Sequence, residues 1–304
     1  MAVLGSGEPT SVPPAASPLV GEAAAAREAA DAAALAAGVV VRKAAGREEL
    51  RSVCDLFGQI WDEDPADPAL TPLILQALEF AGNYVSVAEA DGGLVGACVG
   101  FFGLTEDAWE LHSHIAGVTS RLRGRHVGFA LKTHQRAWAV GRGVNLIRWT
   151  FDPLIRRNAI FNLCKLAVRP RRYLPNFYGP MTDGINSGDE TDRLLVDWHL
   201  LDPAVAQVCT GRTRTSDLDD LREAGAAVGL SPDTNGAPVL GGVGASTVLV
   251  AIPDDIERLR TVDPSRAMAW RLGIRDVLGG LINEGAVITG FVRSGWYVVE
   301  RGVP

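Results

Sequence analysis

The sequence predicts an α/β fold, an α+β mixed sheet with helices on both faces. Three patterns carry this prediction. Strand-like apolar runs and amphipathic helical runs follow one another from residue 39 to residue 200 in the order β-α-α-β-β-β-α-β-α-β-β. Asp91-Gly92-Gly93 is a hairpin signal between two of the strands. The run at 94–102 is apolar at nearly every position, which is typical of a central strand buried on both faces.

The folded region begins with a short β-branched run at Val39–Val41. Leu50, Val53, Phe57 and Ile60 then recur at helical spacing in the first helix. The predicted strands are 39–41, 84–90, 94–102, 110–118, 146–151, 167–178 and 194–200, and the predicted helices are 47–61, 70–80, 128–140 and 157–166. Residues 39–200 are therefore expected to form one domain.

Three further segments flank this domain. Residues 1–38 are predicted to be an N-terminal extension, disordered up to residue 19 and then an alanine-rich helix of modest stability. Residues 201–246, rich in Gly, Asp and Thr, are predicted to connect the domain to the C-terminal part, with a helix near 216–226. Residues 247–304 read as β-α-β-β, the order of residues 146–200. We expect them to be a degenerate half-repeat that packs on the first domain.

The composition excludes several classes of protein. The 304 residues are 47% hydrophobic and carry a net charge of −7, so a large core is expected and a general nucleic-acid binder is not. No stretch is long and apolar enough to span a bilayer, and no signal peptide is recognised, so a cytoplasmic protein without a membrane partner is predicted. Cys54, Cys98, Cys164 and Cys209 form no close pair, which predicts buried thiols rather than a metal site.

The most informative segment is Arg121-Leu-Arg-Gly-Arg-His-Val-Gly128, between a predicted strand and a predicted helix. Glycine lets the backbone turn tightly, and the exposed N–H groups at a helix start favour an anion. Arginines at 121, 123 and 125 add positive charge, so a diphosphate is the natural ligand. The chain has no GxxxxGK[ST] and no GxGxxG that opens a βαβ unit, which argues against P-loop and Rossmann sites. An exposed basic turn that only caps a helix is the alternative.

This turn resembles motif A of the GNAT superfamily of N-acetyltransferases, [QR]-x-x-G-x-[GA]. Arg121 and Gly124 match the motif, whereas His126 stands where Gly or Ala is expected. The resemblance covers roughly residues 39–200. More narrowly, Trp149–Leu154, Arg157–Ala159 and Asn176–Gly179 resemble an uncharacterised predicted-acetyltransferase branch that also carries a C-terminal extension. The resemblance implies a GNAT acyltransferase fold with a C-terminal β-α-β-β extension.

The resemblance also implies an acyl-CoA donor and no metal. In this fold the strand before the turn splays from the next strand, and pantetheine lies in the gap. The donor would be held by residues of that strand, of the turn and of the helix after it: Ala116, Gly117, Val118, Arg121, Arg123, Gly124, Arg125, His126, Val127, Gly128, Asn158 and Asn162. The N–H of Ala116 or Gly117 would polarise the thioester carbonyl.

Glu110, His112 and His114 are the candidates for the general base. Their spacing of two puts them on one face of a strand, and histidine is suited to proton transfer near neutral pH. The alternatives are that this face of the strand is merely polar, or that the three side chains form a metal site, for which the pattern is a weak signal. For the general acid, the family's tyrosine position holds Leu163, so Tyr178 or Tyr173 is expected to replace it, unless the thiolate leaves unaided.

Other readings concern the acceptor. A small-molecule amine acceptor is predicted, and the acidic loop 62–67 favours a cationic one. Asp152 would either orient the substrate or cap the next helix. The alternatives are an acyl carrier protein as donor, an oxygen acceptor, or a non-catalytic CoA-binding protein whose cleft is filled by residues 201–304. Exposed edge strands leave room for a homodimer.

Overall fold

The computed structural model describes residues 20–62, 68–105, 108–179, 189–213 and 216–302, which form two mixed β-sheets and their helices. The strands are β1 Val40–Lys43, β2 Tyr84–Ala90, β3 Gly93–Leu104, β4 Trp109–Val118, β5 Leu146–Phe151, β6 Arg169–Leu174, β7 Arg193–His199, β8 Ala227–Pro232, β9 Pro238–Leu240, β10 Thr247–Ala251, β11 Val287–Val292 and β12 Trp296–Glu300. The helices are α1 Val20–Ala37, α2 Arg47–Trp61, α3 Pro72–Phe80, α4 Val127–Val140, α5 Arg156–Ala159, α6 Pro203–Cys209, α7 Leu218–Glu223, α8 Ile256–Val262, α9 Pro264–Ile274 and α10 Gly280–Asn283.

The first sheet has seven strands in the order β1-β2-β3-β4-β5-β7-β6. All neighbours are antiparallel except β4 and β5, which are parallel. This parallel pair is short, because only Leu111–Ile147 and His112–Arg148 are paired. Beyond these two pairs the strands diverge. The element order from β1 to β7 is the predicted one, and the α/β fold class is confirmed.

Apolar side chains fill both faces of this sheet. On one face α2 and α3 cover β2 and β3 with a cluster that includes Leu50, Phe57 and Val99. On the other face lies α4, against which α1 packs. Alanines 26, 30 and 33 of α1 are buried. The alanine-rich helix thus buries a continuous face of its own, since small side chains let two helices approach closely.

The second sheet has five strands in the order β11-β12-β10-β8-β9. Its strands β8 and β9 come from residues 227–240, inside the segment that the sequence predicts as a connection. The prediction missed them for a physical reason. Strand β8 pairs in parallel with β10, so no hairpin turn announces that pairing, and Pro232 and Pro238 lie at the turn to the three-residue β9.

The strands within residues 247–300 pair with one another in the same pattern as the strands within residues 146–199. In both stretches the first strand pairs with the third, and the third pairs with the second, all antiparallel. Both also have a π-helical segment between their first two strands, Ile160–Lys165 after α5 and Arg275–Gly279 after α9. The division of the chain into a domain, a linker and a half-repeat stays a prediction.

Buried ion pairs join the two sheets. Arg260 of α8 and Arg271 of α9 reach the carboxylates of Asp152 and Asp189, and all four side chains are buried. Nearby, the hydroxyl of Tyr297 donates a 2.7 Å hydrogen bond to the carbonyl of Pro153. The end of β5 is therefore fixed by the C-terminal part of the chain. Among the described helices, none is long and apolar enough to cross a bilayer.

Candidate active site

A cleft opens where β4 and β5 diverge. It encloses about 730 Å³ and is lined by His114 and the next four residues of β4 on one side and by Thr150, Phe151 and Asp152 on the other. Its lower end begins at His114 and Thr150, two residues beyond the last paired residues of the two strands, His112 and Arg148. At its upper end the cleft reaches the turn before α4, where Arg123, Gly124 and His126 line it.

The end of α2 forms a wall of the cleft, through Ile60 and Trp61. This wall lies so close to β4 that position 117 accepts only glycine. A Cβ at Gly117 would lie 2.6 Å from the Trp61 ring and 3.0 Å from Ile60 Cδ1, which is too close for either side chain to stay in place. This contact could not be predicted from the sequence, because helix α2 and Gly117 are far apart in the chain.

His114 is the extra residue of a β-bulge. Strand β3 pairs Val99 with Ile115 and Gly100 with Ser113, so His114 has no partner residue opposite it. Bulges often occur beside active sites, where they re-aim a side chain. The rings of His112 and His114 lie 6.0 Å apart, and both contact Phe101. The two histidines therefore share one face of the sheet, as their spacing predicts.

Of the three candidate bases, only His114 lines the cleft. Glu110 forms an ion pair with Arg148, which also donates a 2.7 Å hydrogen bond to Asp197. Burial, the neighbouring His114 and the ammonium of Lys132 lower the pKa of His112 to about 4. Burial also lowers the pKa of His114. Both imidazoles are consequently neutral near pH 7, and that of His114 can accept a proton inside the cleft.

The turn before α4 and the first residues of the helix lie at the upper end of the cleft. Gly124 and His126 both have left-handed backbones, with φ of 80° and 64°. The side chain of His126 makes no capping hydrogen bond at the start of α4, and Val127 and Gly128, the first residues of the helix, line the cleft. The first N–H groups of a helix have no partner within it, so this end can bind an anion. Arg121 and Arg125 do not line the cleft, whereas Arg123 does.

The two predicted asparagines lie on different sides of the segment after β5. Asn158 lines the cleft together with Phe161 and Lys165. Asn162 is buried and does not line it. Its side-chain oxygen accepts a 3.0 Å hydrogen bond from the indole of Trp149, and its nitrogen donates to the carbonyl of Asn158. Asn162 therefore faces Trp149 rather than the cleft, although it lies only four residues after Asn158.

Tyr178 lines the cleft from the segment after β6, with its hydroxyl 3.4 Å from the hydroxyl of Thr150. The guanidinium of Arg193 lies 5.3 Å from the centre of its ring and also lines the cleft. The other predicted tyrosine, Tyr173, is buried and donates a 2.6 Å hydrogen bond to Asp192. Leu163, at the family's tyrosine position, is part of the core.

Asp152 lies in the wall of the cleft, but its carboxylate is engaged elsewhere. It accepts a hydrogen bond from the backbone N–H of Leu154 and ion pairs from Arg260 and Arg271. Burial alone would raise the pKa of Asp152, but the two guanidiniums outweigh it and hold this pKa well below its usual range. Asp152 therefore fixes the backbone after β5. The acidic loop, apart from Asp62, lies outside the described residues.

Sequence reasoning missed Arg157, Lys165 and Arg193, which also line the cleft. Arg157 pairs with Glu257. Strand alternation could have found Thr150, which shares a face with the candidate Asp152. Arg193 stands beside Asp152 only through the pairing of β5 with β7, which a single sequence does not show.

No family model and no curated protein matches the chain. Similar solved structures include yncA from Salmonella typhimurium, solved with its cofactor acetyl-CoA, at 15% identity and a TM-score of 0.44 over 55% of this chain and 96% of that one. Naa50 from Arabidopsis thaliana, in complex with the bisubstrate analogue CoA-Ac-MVNAL, has 16% identity and a TM-score of 0.43 over 53% of this chain and 97% of its own. An N-acetyltransferase from Staphylococcus aureus Mu50 has 15% identity and a TM-score of 0.43, over 53% and 98%.

The seven-stranded sheet has the order β1-β2-β3-β4-β5-β7-β6, with one short parallel pair at its centre, and helix α4 follows the first strand of that pair. Within residues 40–199 the sheet splays between β4 and β5, which is the arrangement that the resemblance leads one to expect.

Proposed function

We propose that the protein transfers an acyl group from acyl-CoA to an amine. One observation carries the proposal: the gap between β4 and β5 is continuous with the uncapped N-terminus of α4. The ligand for such a shape has an anionic end and a long, narrow, hydrogen-bonding arm. Coenzyme A has both, as a diphosphate and a pantetheine.

The residues present fit this ligand. The N–H groups at the start of α4, with Arg123 and His126, would hold the diphosphate. Beyond His112, β4 has no paired residue on β5, so the backbone groups on that side of 114–118 are open to a ligand, as at the edge of a sheet. Pantetheine would pair with this edge. The thioester carbonyl would then lie at the N–H of Ala116 or Gly117.

His114 is the general base of the proposed reaction. The nitrogen of the acceptor attacks the thioester carbon, so that a C–N bond forms while the C–S bond breaks. The neutral imidazole of His114 takes the proton that the nitrogen loses. CoA leaves as the thiolate, which Tyr178 or water protonates. The carboxylate of Glu110 takes no part in these proton transfers, since it forms an ion pair with Arg148.

The acceptor enters beside Tyr178 and Arg193, on the face that carries His114. A small-molecule amine is the proposed acceptor, and a carrier-protein donor or an oxygen acceptor would use the same cleft. No residue from the described parts of 201–302 lines the cleft. This supports a catalytic protein rather than a non-catalytic one whose cleft is filled by the C-terminal part. A homodimer stays a prediction.

A ligand screen tests the proposal. Melting temperatures are measured with CoA, acetyl-CoA, NAD and ATP, and thiol release is followed over a panel of amines. A ligand at about 100 times its Kd stabilises the folded protein by about 2.7 kcal/mol. A rise in melting temperature with CoA species alone, together with amine-dependent thiol release, is expected. No rise with any CoA species would overturn the donor site, and binding without release over the whole panel would overturn the activity.

A further inference from the structure

A buried lysine lies just beyond the end of the cleft at which β4 and β5 come together. The side chain of Lys132, on α4, is only 4% exposed. Its ammonium donates hydrogen bonds to the hydroxyl of Ser113 at 2.9 Å and to the side-chain oxygen of Gln135 at 2.7 Å. It also lies 3.7 Å from the centre of the Trp149 ring, within cation–π distance. No carboxylate of the described residues pairs with it.

Such a group is costly to bury. A cation that leaves water without a carboxylate partner loses much of its hydration free energy, which one hydroxyl, one amide and one ring recover only in part. Burial accordingly lowers the pKa of Lys132 to about 8. A methionine or leucine would fill the same space at less cost. Buried charges of this kind concentrate at functional sites.

The position of Lys132 indicates what it does. Its partners Ser113 and Trp149 are the residues that directly follow the last β4–β5 pair, His112 with Arg148. The cleft begins one residue later on each strand, at His114 and Thr150. Lys132 therefore bridges the two strands at the point from which they diverge, with a hydrogen bond to one and a cation–π contact to the other.

Trp149 is held from three sides. Its indole N–H donates to Asn162, the ammonium covers its face, and its ring meets Trp198 edge to face at 5.7 Å. The ring is only 8% exposed. An indole fixed in this way cannot turn aside without breaking a hydrogen bond and the cation–π contact together. We call Lys132, Ser113 and Trp149 the apex cluster.

We propose that the apex cluster is the stop for the acyl group, with Lys132 as the residue that keeps Trp149 in place. The inference rests on the proposed function. If the diphosphate lies at α4 and the thioester at Ala116, the acyl chain points down the narrowing gap toward Ser113 and Trp149. An acyl group longer than a few carbons would have to displace the indole. Lys132 is then a positioning and specificity-determining residue, not one that touches the reacting atoms.

The test compares the binding of three ligands by calorimetry: CoA, acetyl-CoA and hexanoyl-CoA. The wild-type protein should bind hexanoyl-CoA roughly tenfold or more weakly than acetyl-CoA, since methylene groups that a site cannot accommodate cost at least that much. Lys132→Met keeps the length of the side chain but loses its charge and its donors. This variant should lose most of the discrimination while it keeps its affinity for CoA.

Trp149→Leu is the second variant, since it opens the space directly. Lys43→Met is the control. Lys43 is also a half-buried lysine with a pKa lowered to about 8, chiefly by burial, and lies 5.4 Å from the rings of Tyr84 and Trp138, but it stands on β1, outside the cleft. Its replacement should leave the ratio of the two affinities unchanged.

Two results would overturn the inference while leaving the proposed function intact. One is equal binding of acetyl-CoA and hexanoyl-CoA by the wild-type protein. The other is full discrimination in both apex variants. Failure of every ligand, including CoA itself, would instead overturn the proposed function on which the inference rests.

Discussion

Arg271 of α9 donates two hydrogen bonds of 2.9 Å to the carboxylate of Asp152, which lies 119 residues earlier at the end of β5. Arg260 donates a third hydrogen bond to Asp152, at 2.6 Å. The carboxylate of Asp189 accepts hydrogen bonds from both arginines and supplies the second negative charge. Two carboxylates and two guanidiniums are thus neutral as a group, although each is buried. The wall of the cleft and the C-terminal part of the chain share this cluster.

Asp152→Asn should destabilise the protein by about 3–5 kcal/mol, because it leaves two buried guanidiniums with one carboxylate. The measurement is urea unfolding at pH 7. The pKa of Asp152 is lower in the folded state than in the unfolded one, so its contribution is complete above the unfolded value and disappears as the pH falls through the folded one. The stability difference between the variant and the wild type should therefore shrink in strong acid.

Asp254→Asn is the matched control. Asp254 also pairs with an arginine, Arg156, but its side chain is 92% exposed. Exposed pairs of this kind contribute about 1 kcal/mol or less. Equal losses from the two substitutions would show that the buried cluster adds nothing beyond a surface pair.

Gly124→Glu should abolish CoA binding, measured by calorimetry. The substitution places a negative charge in the turn that is proposed to hold the diphosphate. It also forces a side chain into a left-handed backbone, which costs about 1–2 kcal/mol. Gly236→Glu separates the two effects, because Gly236 has nearly the same backbone, with φ of 81° against 80°, but lies between β8 and β9. Unchanged affinity in Gly124→Glu would remove the turn from the site.

His114→Gln should lower kcat about a hundredfold or more, the usual contribution of a general base, while acyl-CoA affinity changes little. The pH profile is the more specific readout. Burial holds the pKa of His114 below 6.5, so the wild-type rate should fall only as the pH drops below neutrality. This fall in rate at acidic pH should be absent from the residual activity of the variant.

His134→Gln is the control for this substitution, since His134 is hydrogen-bonded to the hydroxyl of Tyr84 on the far face of the sheet. If His112 were the base instead, His112→Gln would lower the rate more than His114→Gln does. That result would contradict the role of His114.

Tyr178→Phe should lower kcat by about tenfold, less than a general acid commonly contributes, because a thiolate can leave without a proton. The substitution removes only the hydroxyl near Thr150 and keeps the ring that Arg193 covers. Phe177→Leu tests packing alone, since the rings of Phe177 and Tyr178 are 4.7 Å apart. A larger loss in Phe177→Leu than in Tyr178→Phe would mean that the ring, and not the hydroxyl, matters.

The fold of residues 40–199 could be predicted from the sequence because its strands and helices announce themselves locally. Alternating and continuous apolar runs mark β2 to β5, and the diglycine at 92–93 marks a hairpin. Strands β8 and β9 could not be predicted in the same way. The partner of β8 is β10, and a parallel pairing between separate segments leaves no turn between the two strands.

The site was predictable where it depends on one strand or one turn. His114, Ala116 and Gly124 lie in the cleft, where the strand and the turn place them. Asn162 does not, because its amide is hydrogen-bonded to the indole of Trp149 and to the carbonyl of Asn158. Lys132 gave no signal either. On sequence alone it is one lysine in an amphipathic helix, and only the meeting of α4, β4 and β5 surrounds it with Ser113 and Trp149.

The buried cluster at Asp152 also dictates an order of events during synthesis. A ribosome adds roughly 5–20 residues per second, so Arg271 emerges on the order of ten seconds after Asp152. During that interval the end of β5 carries a carboxylate that has no guanidinium to meet it, and hydration of this carboxylate opposes its burial. The cleft therefore reaches its final form only after Arg271 has emerged, and a nascent chain halted near residue 250 would bring neither Arg260 nor Arg271 to Asp152.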